Sequence, residues 1–331
     1  MDRYDSPVSL KGSYYATASL PLRQELALAL PKDDLRGLHE RTPWRHFAWT
    51  GWQLLLLACA SIGLWRLAHP AAWIPLALVQ GFTIFNFTVL LHEVVHDTVF
   101  RERNARRNRW LGFAYAVSSG ISASQFTRWH LDHHAELGSD TDDPKRFRLT
   151  PKRNRRWYKL LYFTPALFPI YFRAAAAETA GYPAPLRRLI RIERWVAIAF
   201  HLSVATAIGL AGGRGPLLRV WVIPVFFVFP VAFVINRLGQ HYDIDPSDPA
   251  KWSTLLKPSW FWDRAFIYSN YHLEHHYFPR VPLYNLKKLH RLLQPFYREH
   301  GIVPRTYGGL LWDYLVLNRT PHSNWDAEGL G

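Results

Sequence analysis

Four long apolar runs dominate the pattern of hydrophobic and polar positions along the chain. They cover residues 47–65, 71–91, 195–213 and 217–235. About 20 apolar residues in a helix are enough to cross a hydrocarbon core of ~30 Å. The pattern therefore predicts an all-α integral membrane protein with four transmembrane helices, paired as two hairpins by short turns.

Three further apolar stretches are too short or too polar to cross a membrane. Residues 111–126 are rich in serine and glycine, and residues 160–172 contain two prolines. We expect both to lie at the membrane interface or to enter the bilayer only partway. Residues 22–30 have the pattern of a short amphipathic helix, which we expect to lie on the membrane surface.

Histidines form three clusters with helical spacing. The sequence HEVVH has two histidines four positions apart, and WHLDHH and YHLEHH each have three, at positions i, i+3 and i+4. These residues are His92 and His96; His130, His133 and His134; and His272, His275 and His276. Positions three and four apart lie on one face of a helix, so we expect each cluster to aim its imidazoles at one point.

The number of clustered histidines indicates more than one metal ion. Imidazole is a common nitrogen ligand, and these histidines exceed the four positions of a single zinc ion. Two ions sharing eight or nine nitrogens fit the count. Histidine-rich ligation suits iron, which can activate O2, whereas zinc has no redox chemistry.

The HEVVH segment also supports an alternative from another enzyme class. It matches the H-E-x-x-H pattern of zinc proteases, with Glu93 as general base, and so predicts a membrane metallohydrolase. This alternative leaves WHLDHH and YHLEHH without a role.

The distribution of positive charge predicts the orientation in the membrane. The formal net charge is +15, with sixteen arginines and three lysines between residues 97 and 194. Such basic clusters are typical of nucleic-acid or anionic membrane surfaces, and the four spans exclude a nucleic-acid binder. The positive-inside rule places the long basic loop, both termini and all three histidine clusters in the cytoplasm. Two crossings separate the first two clusters from the third, so all three can meet.

The spans and the orientation together predict the domain organisation. We expect a cytoplasmic N-terminal segment, a membrane domain and a cytoplasmic C-terminal segment, at residues 1–46, 47–293 and 294–331. The single cysteine, Cys59, lies in the first apolar run, so the chain has no disulfide and no iron–sulfur ligand set.

The order HEVVH, WHLDHH and YHLEHHYFPRVPLYNL resembles the membrane fatty acid desaturase–hydroxylase family of integral di-iron enzymes. The resemblance covers residues 47–293. It implies four spans below a cytoplasmic helical cap that holds two iron ions, with O2 as co-substrate. The implied reaction is desaturation of a fatty acyl chain of a lipid. Hydroxylation of a fatty acyl, sphingolipid or carotenoid substrate by the same site is the alternative.

The resemblance also implies a set of iron ligands. These are His92, His96, His130, His133, His134, His272, His275 and His276, together with His241 as a ninth. His241, in NRLGQHYD, resembles an extra histidine that the family places at the end of its fourth span. In one branch of the family an Asn lies four residues earlier, where this chain has Arg237, with Asn236 one position before it.

Electrons are expected from a separate partner. The sequence has no HPGG haem motif, so the resemblance implies an independent ferredoxin or cytochrome b5-type donor. The basic stretches at residues 101–109 and 145–159 could attract such an acidic carrier, or could hold anionic lipid headgroups. Both possibilities remain open from the sequence.

Some carboxylates and one further histidine lie close to these motifs. We expect Glu93, Asp97, Asp132 and Glu274 to accept hydrogen bonds from the outer imidazole nitrogens. The acidic residues at 138–144 and 243–249 are expected to form turns. His201, in the middle of the third apolar run, is expected to be a packing residue.

Overall fold

Four helices in the computed structural model are long and apolar enough to cross a membrane. The structure describes residues 12–139, 141–151 and 153–322, and within these ranges it is helical with no β-strand. The four helices are Pro43–Arg66, Pro70–Val95, Ala184–Gly212 and Arg214–His241, called here the first to fourth spans. The predicted all-α fold with four spans is confirmed, and each helix is longer than its apolar run.

The second and fourth spans form the centre of the membrane region. Within the apolar windows of these helices, 61% and 50% of residues are buried, against 17% and 6% for the first and third. A helix buried on most sides needs apolar residues all around, and both central spans have them. Gly81 allows their close approach, because a Cβ there would lie 2.4 Å from Val228 and 2.8 Å from the carbonyl oxygen of Pro224.

The two stretches that we predicted not to cross the membrane form short helices. Residues 111–126 fall within Ala105–Ser118 and Ala123–Glu136, each of 14 residues. Residues 160–172 begin in the short helix Arg156–Leu161 and end in the helix Leu167–Thr179, of 13 residues. A helix of 14 residues is about 21 Å long and does not cross a hydrocarbon core of about 30 Å.

Short helices surround the histidine-bearing ends of the spans. Before the first span they are Tyr14–Ala18, Leu20–Ala29 and Lys32–Leu38. Between the second and third spans the structure adds Lys145–Leu149 and Arg156–Leu161. After the fourth span they are Pro249–Lys251, Trp260–Ala265, His272–Tyr277, Leu283–Leu292, Gln294–Glu299, Tyr307–Leu311 and Trp312–Val316.

The apolar face of the N-terminal helix Leu20–Ala29 packs on protein. This differs from our prediction that the helix lies on the membrane surface with that face toward lipid. Leu22 and Leu26 are buried in one cluster with Leu273 and Phe296. The amphipathic pattern was correct, but an apolar face has the same sequence pattern whether it covers a membrane or another helix. The two ends of the chain thus share a core beside the third histidine cluster.

Candidate metal centre

The structure gathers the nine predicted histidines into two adjoining groups. The five-histidine group contains His92, His96, His130, His134 and His275, and the four-histidine group contains His133, His241, His272 and His276. Within each group the potential ligand nitrogens all lie within 4.8 Å of one another. The three sequence clusters and the end of the fourth span therefore meet on one side of the spans.

The three-histidine clusters divide between the two groups, so our prediction that each aims at one point is wrong. His130 and His134 point to the five-histidine group, whereas His133 between them points to the other. YHLEHH divides the opposite way, because His275 leaves the group that holds His272 and His276. At about 100° per residue, positions i and i+4 differ by only ~40° around the helix, whereas i+3 and i+4 differ by ~100°. Each helix thus serves both groups.

The four-histidine group brings unprotonated ring nitrogens close together. His133 Nδ1 lies 2.8 Å from a carboxylate oxygen of Asp143, and His241 Nδ1 lies 2.8 Å from the carbonyl oxygen of Trp252. Both oxygens accept, so both Nδ1 atoms carry the proton, and in neutral rings both Nε2 atoms are then bare lone pairs. Yet these Nε2 atoms are only 3.1 Å apart. Two lone pairs at this distance repel unless a cation lies between them, so the donor set fits a metal ion.

The five-histidine group also has close pairs of nitrogens and one buried nitrogen without a partner. His96 and His130 bring their Nε2 atoms to 2.7 Å, and His134 and His275 to 3.0 Å. The Nε2 atom of His92 is buried and has no hydrogen-bond partner. A buried polar atom without a partner is costly, and a metal ion at this point would satisfy it.

Burial keeps these rings in the form that binds metal. The pKa of His130, His133 and His276 lies well below the ordinary histidine value, mainly because burial disfavours the charged ring. The rings are therefore neutral at neutral pH, and a neutral imidazole offers its lone pair to a metal without first losing a proton.

An apolar cavity leads to the two histidine groups. The residues that line it include Phe85, Phe168, Phe172, Phe229 and Phe233, together with the histidines His92, His130, His272 and His275. Phe168 and Phe172 belong to the apolar stretch at residues 160–172, and the other three belong to the central spans. The structure therefore has an apolar cavity that suits a lipid chain and has histidines of both groups in its wall.

Comparison with known proteins shows the family. A family model described as "Fatty acid desaturase" matches residues 68–308. The chain belongs to the fatty acid desaturase family. It is therefore an integral membrane oxidoreductase that acts on lipids.

Several curated relatives of this desaturase family member are named for sphingolipid oxidation. The chain is 28% identical over 282 residues to the sphingolipid delta(4)-desaturase/C4-monooxygenase DES2 of Homo sapiens, with 80% of each chain covered. It is 26% identical over 296 residues to the sphingolipid delta(4)-desaturase DES1 of Rattus norvegicus, covering 83% of this chain and 81% of the relative.

The zinc hydrolase alternative has no support in this desaturase. The two HEVVH histidines belong to a five-histidine group, and a zinc site of that motif has room for far fewer protein ligands. Glu93 accepts hydrogen bonds from the Thr98 hydroxyl at 2.8 Å and from the backbone N–H of Leu283 at 2.9 Å. Its carboxylate connects the second span to the helix Leu283–Leu292.

The four predicted carboxylates support the site less directly than we expected. Asp97 accepts from Asn108 and pairs with Arg103 at 3.4 Å, and Asp132 accepts from Tyr182 at 3.3 Å. Glu274 has an imidazole partner, at 2.5 Å, but that partner is His290, outside both groups, and Tyr297 donates to the same oxygen. For Glu93 the nearest approach to His92 Nδ1 is 3.9 Å, beyond a hydrogen bond.

The sequence did not predict which residues orient the four-histidine group. Asp143 lies in the acidic stretch at residues 138–144, which we assigned to a turn, yet its buried carboxylate holds His133. The carbonyl of Trp252 holds His241, and a backbone acceptor has no sequence signal. Asp143 lies ten residues after His133 in the sequence, so a contact between them could have been predicted only if the path of the loop were known.

The basic stretch at residues 145–159 is only partly a surface. Lys159 is fully buried, and its ammonium group donates to the carbonyl of Tyr314 at 2.9 Å. Lys145 lies 3.2 Å from the Nδ1 atom of His130, and burial lowers the pKa of Lys145 to about 7. Exposed arginines remain at positions 153, 155 and 156. Outside both groups, His201 bonds to the carbonyl of Val117 at 3.1 Å, which confirms it as a packing residue.

Proposed function

We propose that this chain desaturates an N-acylated sphingoid lipid at its C4–C5 bond with two iron ions and O2. The observation that carries this proposal is the pair of histidine groups beside an apolar cavity that histidines of both groups line. The names of the relatives support the sphingoid substrate. One of those names also includes C4 monooxygenation, so hydroxylation at C4 is the second candidate for the same site.

The ligands that we propose for iron are the nine histidines of the two groups. Imidazole nitrogens suit iron, and iron supplies the O2 activation that zinc cannot. The overall desaturation removes two hydrogen atoms from the lipid and takes two electrons from a donor, and with two further protons O2 leaves as two molecules of water. Hydroxylation would use the same electrons and place one oxygen atom on the lipid.

The residues of the chain hold the lipid and keep water away. Phenylalanines from the central spans surround the hydrocarbon chain, and their burial against it favours binding by about 25 cal/mol per Å² of apolar surface removed from water. His92, His130, His272 and His275 line the cavity, so the carbon atoms that lie beside them meet the metal groups. This positioning selects which C–H bonds react.

Lipid analysis of a host expressing the chain tests the proposed function. We expect new sphingoid species with a C4 double bond or a C4 hydroxyl group, absent with His134→Ala, since His134 belongs to the five-histidine group. The purified protein should hold two irons per chain. Unchanged sphingolipids alongside a new double bond in ordinary acyl chains would reject the sphingoid substrate, and one equivalent of zinc with no oxidised product would reject the di-iron assignment.

The electron donor is proposed to dock on the basic stretch at residues 101–109, on the cytoplasmic side. Arg106 and Arg107 are exposed on the helix Ala105–Ser118, beside Trp110, which is 65% exposed. An acidic ferredoxin or a cytochrome b5-type protein would be attracted to this surface. Because Lys159 is buried and Lys145 is half-buried in the cavity wall, the stretch at residues 145–159 adds less to it.

Changing Arg106 and Arg107 to glutamine should slow donor-coupled turnover about tenfold at low salt and flatten its dependence on salt concentration, because steering acts on the association rate. The measurement is turnover against donor concentration at several ionic strengths. The exposed pair Arg187 and Arg188, changed in the same way, is the control. If both double variants keep the wild-type rate and salt slope, the donor docks elsewhere.

A further inference from the structure

The wall of the cavity carries polar side chains as well as histidines. Lys145, Asn236, Arg237, Gln240 and Ser269 all line it. A cavity for hydrocarbon alone would have no use for them, because a buried polar group without a partner is costly. Their position beside the histidines indicates that they meet a polar group of the ligand.

These side chains lie next to both histidine groups. Lys145 Nζ is 3.2 Å from Nδ1 of His130, in the five-histidine group. Gln240 lines the same cavity as His272, in the four-histidine group. The polar atoms are therefore at the place where bonds are oxidised, and not at the far end of a long chain.

The hydrogen bonds of Gln240 leave one acceptor free. Asn236 donates through Nδ2 to the hydroxyl oxygen of Ser269 at 2.7 Å, so its Oδ1 accepts from Gln240 Nε2, at 2.8 Å. This relay fixes both amides and turns the Oε1 atom of Gln240 away from Asn236. Among the described residues, none donates a hydrogen bond to that Oε1 atom.

Two cationic side chains in the same wall leave donors free. The one hydrogen-bond partner of Lys145 Nζ among the described side chains is His130, and an ammonium or amine has further N–H groups. The guanidinium of Arg237 packs 5.8 Å from the ring of Phe233 and forms no ion pair with any carboxylate of the described residues. The wall therefore offers N–H donors together with one amide oxygen.

This combination distinguishes between kinds of ligand. A carboxylate or phosphate only accepts hydrogen bonds, so it would leave the Gln240 oxygen without a donor. A hydroxyl group both donates and accepts, and a secondary amide has one N–H and one C=O. A ligand with neighbouring hydroxyl and amide groups matches all the free atoms.

We propose that Gln240, Lys145 and Arg237 form a subsite for the C3 hydroxyl and amide of a sphingoid lipid. This inference rests on the proposed function and adds the residues that set its specificity. In such a lipid C4 is bonded directly to the carbon that carries the C3 hydroxyl. Oxidation at C4 therefore brings the polar group beside the metal centre, where this subsite lies. A lipid oxidised in the middle of its acyl chain would place only CH2 groups there.

The test compares N-acylsphinganine with its 3-deoxy analogue on purified protein. We expect the wild type to favour the hydroxylated lipid in kcat/KM by about tenfold or more, because a site built for a hydroxyl rejects an analogue that lacks it. Gln240→Leu should bring the ratio close to one by lowering turnover of the hydroxylated lipid alone. Gln240→Glu keeps an acceptor oxygen and should restore most of the preference.

Gln80→Leu is the matched control. Gln80 is a buried glutamine of the second span that donates to the carbonyl of Val220, outside the cavity. Any loss from destabilisation should fall equally on both lipids and leave their ratio unchanged. Equilibrium binding of radiolabelled N-acylsphinganine to metal-free protein gives a second readout, in which Gln240→Leu should weaken binding and the control should not.

The outcomes separate this inference from the proposed function. If the wild type oxidises N-acylsphinganine but Gln240→Leu keeps the wild-type preference and binding, the subsite is wrong and the function stands. If the wild type neither binds nor oxidises N-acylsphinganine, both are wrong. Tight binding of a free fatty acid that Arg237→Gln abolishes would show an anion site and also overturn the subsite.

Discussion

Replacing His241 with alanine is expected to lower the iron content from two ions per chain toward one and to abolish turnover. His241 is the only one of the nine histidines outside the three sequence clusters, and its Nε2 atom lies 3.1 Å from that of His133 and 3.0 Å from that of His272. It supplies one of the four nitrogens that the described residues bring to this group. Three remaining nitrogens would hold the ion weakly, and a one-metal centre has lost half of its redox capacity.

The measurement is iron per chain together with product formation in detergent. His276→Ala, in the same group, should behave like His241→Ala, and His134→Ala should deplete the other ion. His201→Ala is the control, because that ring bonds to a backbone carbonyl within the membrane and meets neither group. A His241→Ala protein with two irons and normal turnover would show that the fourth span contributes no ligand.

Replacing Asp143 with alanine is expected to reduce metal affinity or activity by about 10- to 100-fold, the usual effect of losing a carboxylate that orients a ligand histidine. The carboxylate lies 2.8 Å from the Nδ1 atom of His133 and so determines which nitrogen of that ring carries the proton. Without it, the ring can turn, or can move its proton to the nitrogen that faces the metal. The four-histidine group should then release its ion first.

Asp245→Ala is the matched control for Asp143. Asp245 also lies in an acidic turn, where its carboxylate accepts from Ser247 and contacts no histidine. Titration of the metal-free proteins with Fe²⁺ should give two affinity classes in the wild type. In the Asp143→Ala protein only one of these two classes should shift, toward weaker binding. Equal affinities for wild type and Asp143→Ala would show that the backbone alone orients His133.

The cavity and the metal centre depend on the same two spans. The second span carries His92 and Phe85, and the fourth carries His241 and Phe233, so each of these two helices contributes both to the cavity wall and to a histidine group. Close packing at Gly81 sets their separation. This arrangement is suited to choosing one carbon among many similar ones, because a small error in helix position would expose a different C–H bond.

The sequence by itself determined the spans and the identity of the clustered histidines. Membrane helices are recognised by length and composition alone, and histidines at i, i+3 and i+4 must lie on neighbouring faces of whatever helix they form. The non-spanning character of residues 111–126 and 160–172 followed from the same rule of length. These properties are local, so they do not depend on how the helices are arranged.

Only the tertiary structure decided which histidines share a group and which residues contact them. The division of His130, His133 and His134 between two groups depends on where the neighbouring helices stand, because a ring 60–100° from its neighbour can reach either side of the helix. The role of Asp143 and the inward position of Lys145 depend on the path of one loop. The sequence shows that residue 145 is a lysine but not which way its side chain points. In the structure Lys145 lies beside His130 and lines the cavity, instead of forming part of a basic surface.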